Sequence, residues 1–359
     1  MKTRLFFAVL AIGILVVPGK GVAQDFPFQV FERYLEPLAQ EIGMPGLSAV
    51  IVRNNRIAWR RGYGYADVER QIPATEDTPY PIGGVTQAFT AVLAGICADR
   101  HTLTVDHGIR RYVPTFPTDV TVRYVLAHAS ENVFRYDPTL YAALTAVIEQ
   151  CLEKPFRVAV ADELLTRLAL TRSVPGLDLN QPGNTQIRDL FDNTVLDRYL
   201  RVLSDVAVPY RIDRNGRYSR SEYPPYGLDA AGGLVATARD LAEFEGNLDD
   251  QENGDNIPIS YSTLNQMWTQ TVLRDANNNI FQVTPTGQGW FVQNPSGVRL
   301  VWTFGHIPNA ASALIVKMPI KRLTLILLSN SDGLTRGYNF EQGDVLTSPF
   351  VKLFLKLFI

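Results

Sequence analysis

The sequence predicts a mixed α/β (α+β) fold, an antiparallel sheet flanked by helices with a mostly helical subdomain set into the chain. Three observations carry this reading. Residues 47–53 and 57–65 are apolar runs separated by Asn54-Asn55, a hairpin signal. Residues 86–99 hold Phe89, Val92, Leu93 and Ile96 with no charge before Asp99, which reads as a helix buried on most sides. Near the C-terminus the short runs 287–292, 300–304, 313–318 and 323–329 are apolar or β-branched and bounded by turn residues, the pattern of further antiparallel strands.

The remaining elements follow in order. Phe28, Phe31, Tyr34, Leu35, Leu38 and Ile42 recur at helical spacing and stop at Gly43 and Pro45, so a first amphipathic helix precedes the hairpin. From about 79 to 226 the chain reads as helix and loop, with apolar helices over 140–152 and 158–168 and no strand ladder. Residues 172–225, rich in Pro, Gly, Asn and Arg, carry the weakest pattern. Thr237 with Asp240 is a helix N-cap pair, each able to accept from an orphan N–H. Residues 350–359 form a short C-terminal helix whose Phe350, Leu353, Phe354 and Leu357 pack onto the sheet rather than onto a membrane surface.

Composition excludes several classes. The chain has 359 residues, 46% of them hydrophobic, and a formal net charge of −2 with both signs evenly spread. It is long enough for a large core, and it offers no basic stripe for nucleic acid. Lys2 and Arg4 precede the apolar run 5–17, and Gly21-Val22-Ala23 places small residues where a signal peptidase reads. The run is shorter than the about 20 residues a spanning helix needs. A signal peptide over 1–23, cleaved after Ala23, is therefore expected rather than a stable membrane anchor, with a periplasmic or secreted mature chain from residue 24. Cys97 and Cys151 lie in apolar helical patterns, and two buried free thiols are expected although export permits a disulfide. His101, His107, His128 and His306 lie far apart in sequence, so no metal site and no cofactor is expected. The acidic stretch 249–256 lacks the closing Glu of a calcium loop, since Ser260 stands there, and reads as a solvated turn.

The hairpin, GlyTyrGlyTyrAlaAspVal at 62–68, the apolar helix after Gly83-Gly84, GlyIleArgArgTyrValPro at 108–114, His128-Ala129-Ser130 and Gly232-Gly233-Leu234 together resemble the serine β-lactamase and penicillin-binding protein family, in its class C and esterase-like branch. The resemblance covers about 26–355 and implies a β-lactamase/transpeptidase-like fold. It places the α/β part at about 26–80 and 227–359 and the helical part at about 81–226, with the loops of 172–225 beside the cleft. In that family the central helix begins Ser-x-x-Lys, and here the nucleophile position is Gly84 and the lysine position Gln87. Thr86 cannot replace the serine, because two residues along a helix turn a side chain by about 200°. The second motif falls on Tyr136-Asp137-Pro138, so Tyr136 keeps a phenol (or is a plain loop tyrosine) and Pro138 replaces an amide. The third falls on His306-Ile307-Pro308, with His306 as in esterase-like members and Pro308 where glycine is usual. The oxyanion donors map to the backbone N–H groups of Gly84 and Asn309.

No catalytic residue set is intact on this reading, and the ligand-binding candidates are Gly84, Tyr136, His306 and Asn309. The resemblance thus implies a family whose chemistry is serine acyl transfer and a chain that has lost it. The expected function is a pseudoenzyme that binds a small-molecule or peptide ligand, or a protein partner, through the degenerate cleft. Two alternatives stay open. One is an active hydrolase using Ser130 or Tyr136 with His128 or His306 as base, neither Glu131 nor Asn132 restoring a motif. The other is a structural scaffold domain.

Overall fold

The computed structural model describes residues 22–130, 133–225, 227–250, 257–274 and 279–359. The expected leader, apart from its last residues, and the acidic stretch from 251 to 256 lie outside the described residues. A seven-stranded antiparallel sheet runs in the order Phe291–Gln293, Leu300–Ile307, Ala311–Met318, Leu323–Ser329, Gly46–Arg53, Arg56–Asp67, Ile72–Pro73. The N-terminal hairpin therefore docks against the last long strand, with Leu47 opposite Ser329 and Arg53 opposite Leu323. Asn54 and Asn55 both take positive φ, as a two-residue hairpin of this hand demands.

Each face of the sheet buries its own cluster, because side chains alternate along a strand. One face packs Ile51, Trp302, Leu314 and Leu325 against the helices Val22–Ile42 and Pro349–Phe358. Phe350 and Phe354 of the C-terminal helix are fully buried there, as the heptad-like spacing of its apolar residues implies. The other face packs Val50, Ile315 and Ile326 beside Phe89, Val92 and Phe244, from the helices Thr86–Asp99 and Ala238–Asp249. Phe89 and Phe244 stack with centroids 4.0 Å apart.

Lys317 lies wholly inside this second layer. Its Nζ is 2.7 Å from Glu245 Oε2 and 2.9 Å from Asp249 Oδ1, and it sits 4.5 Å from the Trp268 ring centroid. Burial raises the Glu245 carboxyl, and Lys317 partly offsets this. The charges tie the strand Ala311–Met318 to the helix Ala238–Asp249, a link that an isolated lysine in an apolar run does not announce.

Several expectations need correction. Cys97 and Cys151 are joined in a disulfide, not two free thiols. They sit near the C-terminal ends of two packed helices, Thr86–Asp99 and Leu144–Leu152, with Cα atoms 6.1 Å apart, an ordinary bridging span. The expected strand 287–292 shortens to Phe291–Gln293, because the turn before it is pressed onto two helices, Gly287 onto the end of Tyr261–Met267 and Gly289 onto the central helix. A Cβ at Gly289 would stand 2.3 Å from Ala91 Cβ. The helix expected over 140–152 breaks into Pro138–Tyr141 and Leu144–Leu152, and that over 158–168 starts at Phe156 and widens to a π-turn over Ala161–Thr166. Residues 172–225 contain the amphipathic helix Asn193–Ser204 and a small hairpin of Tyr210–Ile212 with Tyr218–Arg220. Thr237 Oγ1 accepts from the Asp240 N–H at 3.0 Å, as expected of a cap. Asp240 instead accepts from Arg172 N–H and Ser173 Oγ, so it anchors a neighbouring loop rather than its own helix.

Candidate functional site

The central helix positions the site. Gly83–Val85 make one 3₁₀ turn that runs into Thr86–Asp99, so Gly84 lies just before the helix proper. The strand Leu300–Ile307 presses against this turn. A Cβ at Gly305 would lie 1.8 Å from Ile82 O, so only glycine allows the approach. Thr86 points away from the cleft, fully buried, its Oγ1 accepting from Leu234 N–H at 3.3 Å. Thr90 Oγ1 donates to Ala230 O at 2.8 Å and holds the Ala-Ala-Gly-Gly segment against the same helix.

A cleft of about 460 Å³ opens here, lined among others by Gly84, Tyr136, Pro138, His306 and Pro308. The motif-equivalent positions are thus brought together, Gln87 standing just behind them. Tyr136 is no plain loop tyrosine. Its ring packs against His128, Phe304 and Phe291 with centroids 4.5, 5.2 and 5.9 Å away. Its hydroxyl accepts from Gln87 Nε2 at 3.2 Å, and burial raises the phenol well above its ordinary value, so the group is a neutral phenol.

The empty position at Gly84 is filled from outside. A Cβ there would lie 2.7 Å from both the Tyr136 hydroxyl and Phe304 O, closer than real contacts come. Tyr136 therefore occupies the space a serine side chain would need.

Gln87 completes a closed network. Its Oε1 faces His128 Nε2 at 3.0 Å, while His128 Nδ1 accepts from the Asp137 N–H at 3.2 Å. Because a backbone donor fixes Nδ1 as acceptor, the neutral ring carries its proton on Nε2, and that proton goes to the amide oxygen. Tyr141 closes the ring of contacts by donating to Gln87 O at 3.1 Å and stacking on His128. A lysine at 87 would set an ammonium against the Nε2–H, donor against donor. The amide is the residue type that satisfies acceptor and donor demands together. Burial pushes His128 down to about 3, against a smaller opposing pull from Asp137. Both its nitrogens are engaged, so it is not a base for cleft chemistry. Ser130 has its backbone paired with Val133, and its side chain lies outside the described residues, as do Glu131 and Asn132.

Each proline has a structural reason. Pro138 is the first residue of the helix Pro138–Tyr141, where a missing N–H costs nothing, and Asp137 caps it by accepting from Leu140 N–H at 3.1 Å. Pro308 opens the turn from Ile307 to Ala310, closed by Ala310 N–H donating to Ile307 O at 3.0 Å. Asn309 has φ of +59°, the conformation a type II turn needs after proline. That turn corrects the reading of Asn309 as an oxyanion donor. Its N–H donates to Asp332 Oδ2 at 3.1 Å and is already used.

His306 stands exposed on the cleft wall with Nδ1 2.9 Å from Thr335 Oγ1. Surrounding protein lowers its imidazole, and Asp332 and Glu341 partly oppose this. Two further cleft residues escaped sequence reasoning. Asp229 accepts from Ala231 and Gly232 N–H at 2.7 and 3.0 Å, and burial raises its carboxyl. Its only signal was proximity to Gly232-Gly233. Glu341 had none. Besides the neutral Tyr136 phenol, the ionisable groups lining the cleft are thus Asp229, Glu341 and His306, with no lysine or arginine among the described lining. Among the described residues no three His, Cys, Asp or Glu side chains are grouped as a metal would require.

Comparison with known proteins gives this arrangement its ancestry. Two solved structures share the fold: the octameric penicillin-binding protein homologue from Pyrococcus abyssi, with TM-score 0.69 and 22% identity over 85% of this chain and 74% of that one, and SurE, with TM-score 0.67 and 21% identity over 86% and 73%. Among curated proteins, Protein flp of Staphylococcus aureus is 29% identical over 109 residues, 28% of this chain and 22% of that protein. The human serine beta-lactamase-like protein LACTB, mitochondrial, is 29% identical over 104 residues, 27% of this chain and 19% of that protein. The matched stretch thus spans about a fifth of the length of these relatives. The Beta-lactamase family model matches residues 31–342, most of the chain, and every site position described above lies inside that span. The chain belongs to the β-lactamase family.

Proposed function

We propose that this chain is an exported, non-catalytic member of the family that binds a ligand in the cleft instead of acylating on it. One observation carries the reading: the place of the nucleophile is taken by the Tyr136 hydroxyl, held by Gln87 in a neutral network in which the polar side-chain atoms of Gln87, Tyr136, His128 and Tyr141 are each partnered. A site that had only decayed would leave buried polar atoms without partners. The open cleft of about 460 Å³ supports ligand binding over a purely structural role. The disulfide and the leader-like sequence of residues 1–23 support export, since such bridges persist in oxidising compartments. Among the described residues no helix is long and apolar enough to cross a membrane.

Intact-mass spectrometry after exposure to a reactive penicillin and to a fluorophosphonate tests the loss of chemistry. The natural chain is expected to gain no mass. The Gly84→Ser/Gln87→Lys variant is also expected to stay unmodified, because the serine meets Tyr136 and the lysine meets the His128 Nε2–H. A stable adduct on the natural chain sinks the reading, and peptide mapping would then test Ser130 first.

The lining also sets a ligand class. Asp229 and Glu341 disfavour a carboxylate and favour a ligand with donors or positive charge, such as the free amine of a short peptide or an amino sugar. Calorimetric titration with dipeptides and their N-acetylated counterparts is expected to give binding only to the free amines. Equal binding of both sets would remove this assignment.

A further inference from the structure

One end of the sheet carries features that neither the core nor the cleft uses. Four parts of the chain meet there: the Asn54-Asn55 turn, the turn Pro319–Lys321, the start of the helix Val22–Ile42, and the last turn of Pro349–Phe358. Arg53 pairs with Leu323 on one side and Arg56 on the other, which sets the two turns side by side. The Arg53 guanidinium lies 4.9 Å from the Phe28 centroid and 5.8 Å from that of Phe358, and those rings are 5.4 Å apart. Lys321 Nζ donates to the carbonyls of Phe358 and Ile359 at 2.9 and 3.1 Å.

Three large apolar side chains stand out into solvent at this end. Ile320 is 87% exposed, Phe26 66% and Ile359 55%. Ile320 is the most telling, because the tip of a hairpin normally carries Gly, Asn, Asp or another polar turn former, and here an isoleucine sits there with its side chain almost fully in water. It is followed directly by Lys321 and Arg322. With Arg53 and Arg56, four cations therefore flank the two turns at this end. Glu243, on the flank of the Asn54-Asn55 hairpin beside Arg56, is a nearby opposing carboxylate.

We propose that this end is a membrane-contact face that seats reversibly on an anionic phospholipid surface. Ile320, Phe26 and Ile359 enter the interfacial layer, and Arg53, Arg56, Lys321 and Arg322 meet the headgroups. Apolar tips together with flanking cations are the combination that interfacial binding needs, since burial of the tips and attraction to anionic lipid add together. A second copy of the chain fits less well, because an isologous contact would set these cations against one another. The proposal is independent of what the cleft binds.

Vesicle co-sedimentation of the mature chain decides it. The natural chain is expected to pellet with vesicles containing phosphatidylglycerol, to remain in solution with pure phosphatidylcholine, and to release as salt rises. Ile320→Asp is expected to lower the partition coefficient about tenfold or more, because it removes the side chain that enters the interface. Arg56→Glu, on the exposed hairpin, is expected to weaken binding to anionic vesicles and to flatten the salt dependence. Failure to pellet with anionic vesicles at low salt would overturn the proposal. So would equal binding to both lipids, or binding that Ile320→Asp leaves unchanged. Self-association that Ile320→Asp abolishes, without vesicle binding, would reassign the face to a second copy.

Discussion

Lowering the pH from about 6.5 towards 3 is expected to destabilise this protein far more than it destabilises a His128→Asn variant. In the folded chain burial pushes the imidazole from the usual 6.5 to about 3. Between those two values the unfolded chain takes up a proton that the folded chain refuses, so stability is present above the unfolded value and is lost as acid is added. Integrated over the window, the loss is roughly 4–5 kcal/mol. Asp240 works in the opposite sense. Burial raises its carboxyl to about 6, so the folded form holds a proton that the unfolded form releases, and that contribution grows as the pH falls from about 6. Both proteins carry Asp240, and the difference between them isolates His128. Asparagine suits the position because His128 has φ of +52°, a left-handed conformation that asparagine tolerates, and because an amide again supplies one donor and one acceptor. Near neutrality the variant should be the less stable protein, having lost the stacking on Tyr136 and Tyr141. Urea unfolding at a series of pH values should show the gap closing as acid is added. Parallel curves would mean that the ring is not held neutral by the Asp137 N–H and Gln87.

The same network explains why part of the site was legible in the sequence and part was not. Gly84, Gln87, Tyr136, Pro138, His306 and Pro308 could be placed because each falls in a short motif with fixed spacing, and short-range order survives translation into structure. That the losses are compensated could not be read. Gln87 alone looks like a missing charge, and only its contacts with His128, 41 residues away, and Tyr136, 49 residues away, show an amide chosen for two opposite demands. Pro308 alone looks like a blocked strand edge. With Asn309 at φ of +59° it becomes a turn, and the turn is what commits the Asn309 N–H to Asp332. Asp229 and Glu341 were invisible for a related reason, since a carboxylate in a polar loop carries no pattern until folding brings it to the cleft. Periodicity served the fold better. The five long strands of the sheet and the central helix each span seven or more residues, whereas the three-residue strands at 210–212 and 218–220 are too short to show a period.

Replacing both cysteines is expected to lower the unfolding free energy by about 4 kcal/mol, on loop-closure accounting for a bridge between residues 54 apart. The bridge ties the end of the central helix to Leu144–Leu152, and the two motifs of the site lie at or just before the starts of these helical segments. Gly84 and Gln87 open one, and Tyr136 and Pro138 precede the other. Free in the unfolded chain, these segments would have to meet across the whole intervening loop. Crosslinked, they are never far apart. Cys97 is fully buried and Cys151 nearly so, so reductant should act on the natural chain only once it opens, and the Cys97→Ala/Cys151→Ala variant is the cleaner comparison. Alkylation under denaturing, non-reducing conditions is expected to add nothing to the natural protein isolated from an oxidising compartment. Two alkyl groups would show that the thiols are free. A double variant as stable as the natural chain would show that helix packing alone holds the two motifs together, and the cleft would then owe its shape to Phe89, Val92 and their neighbours in the core rather than to the bridge.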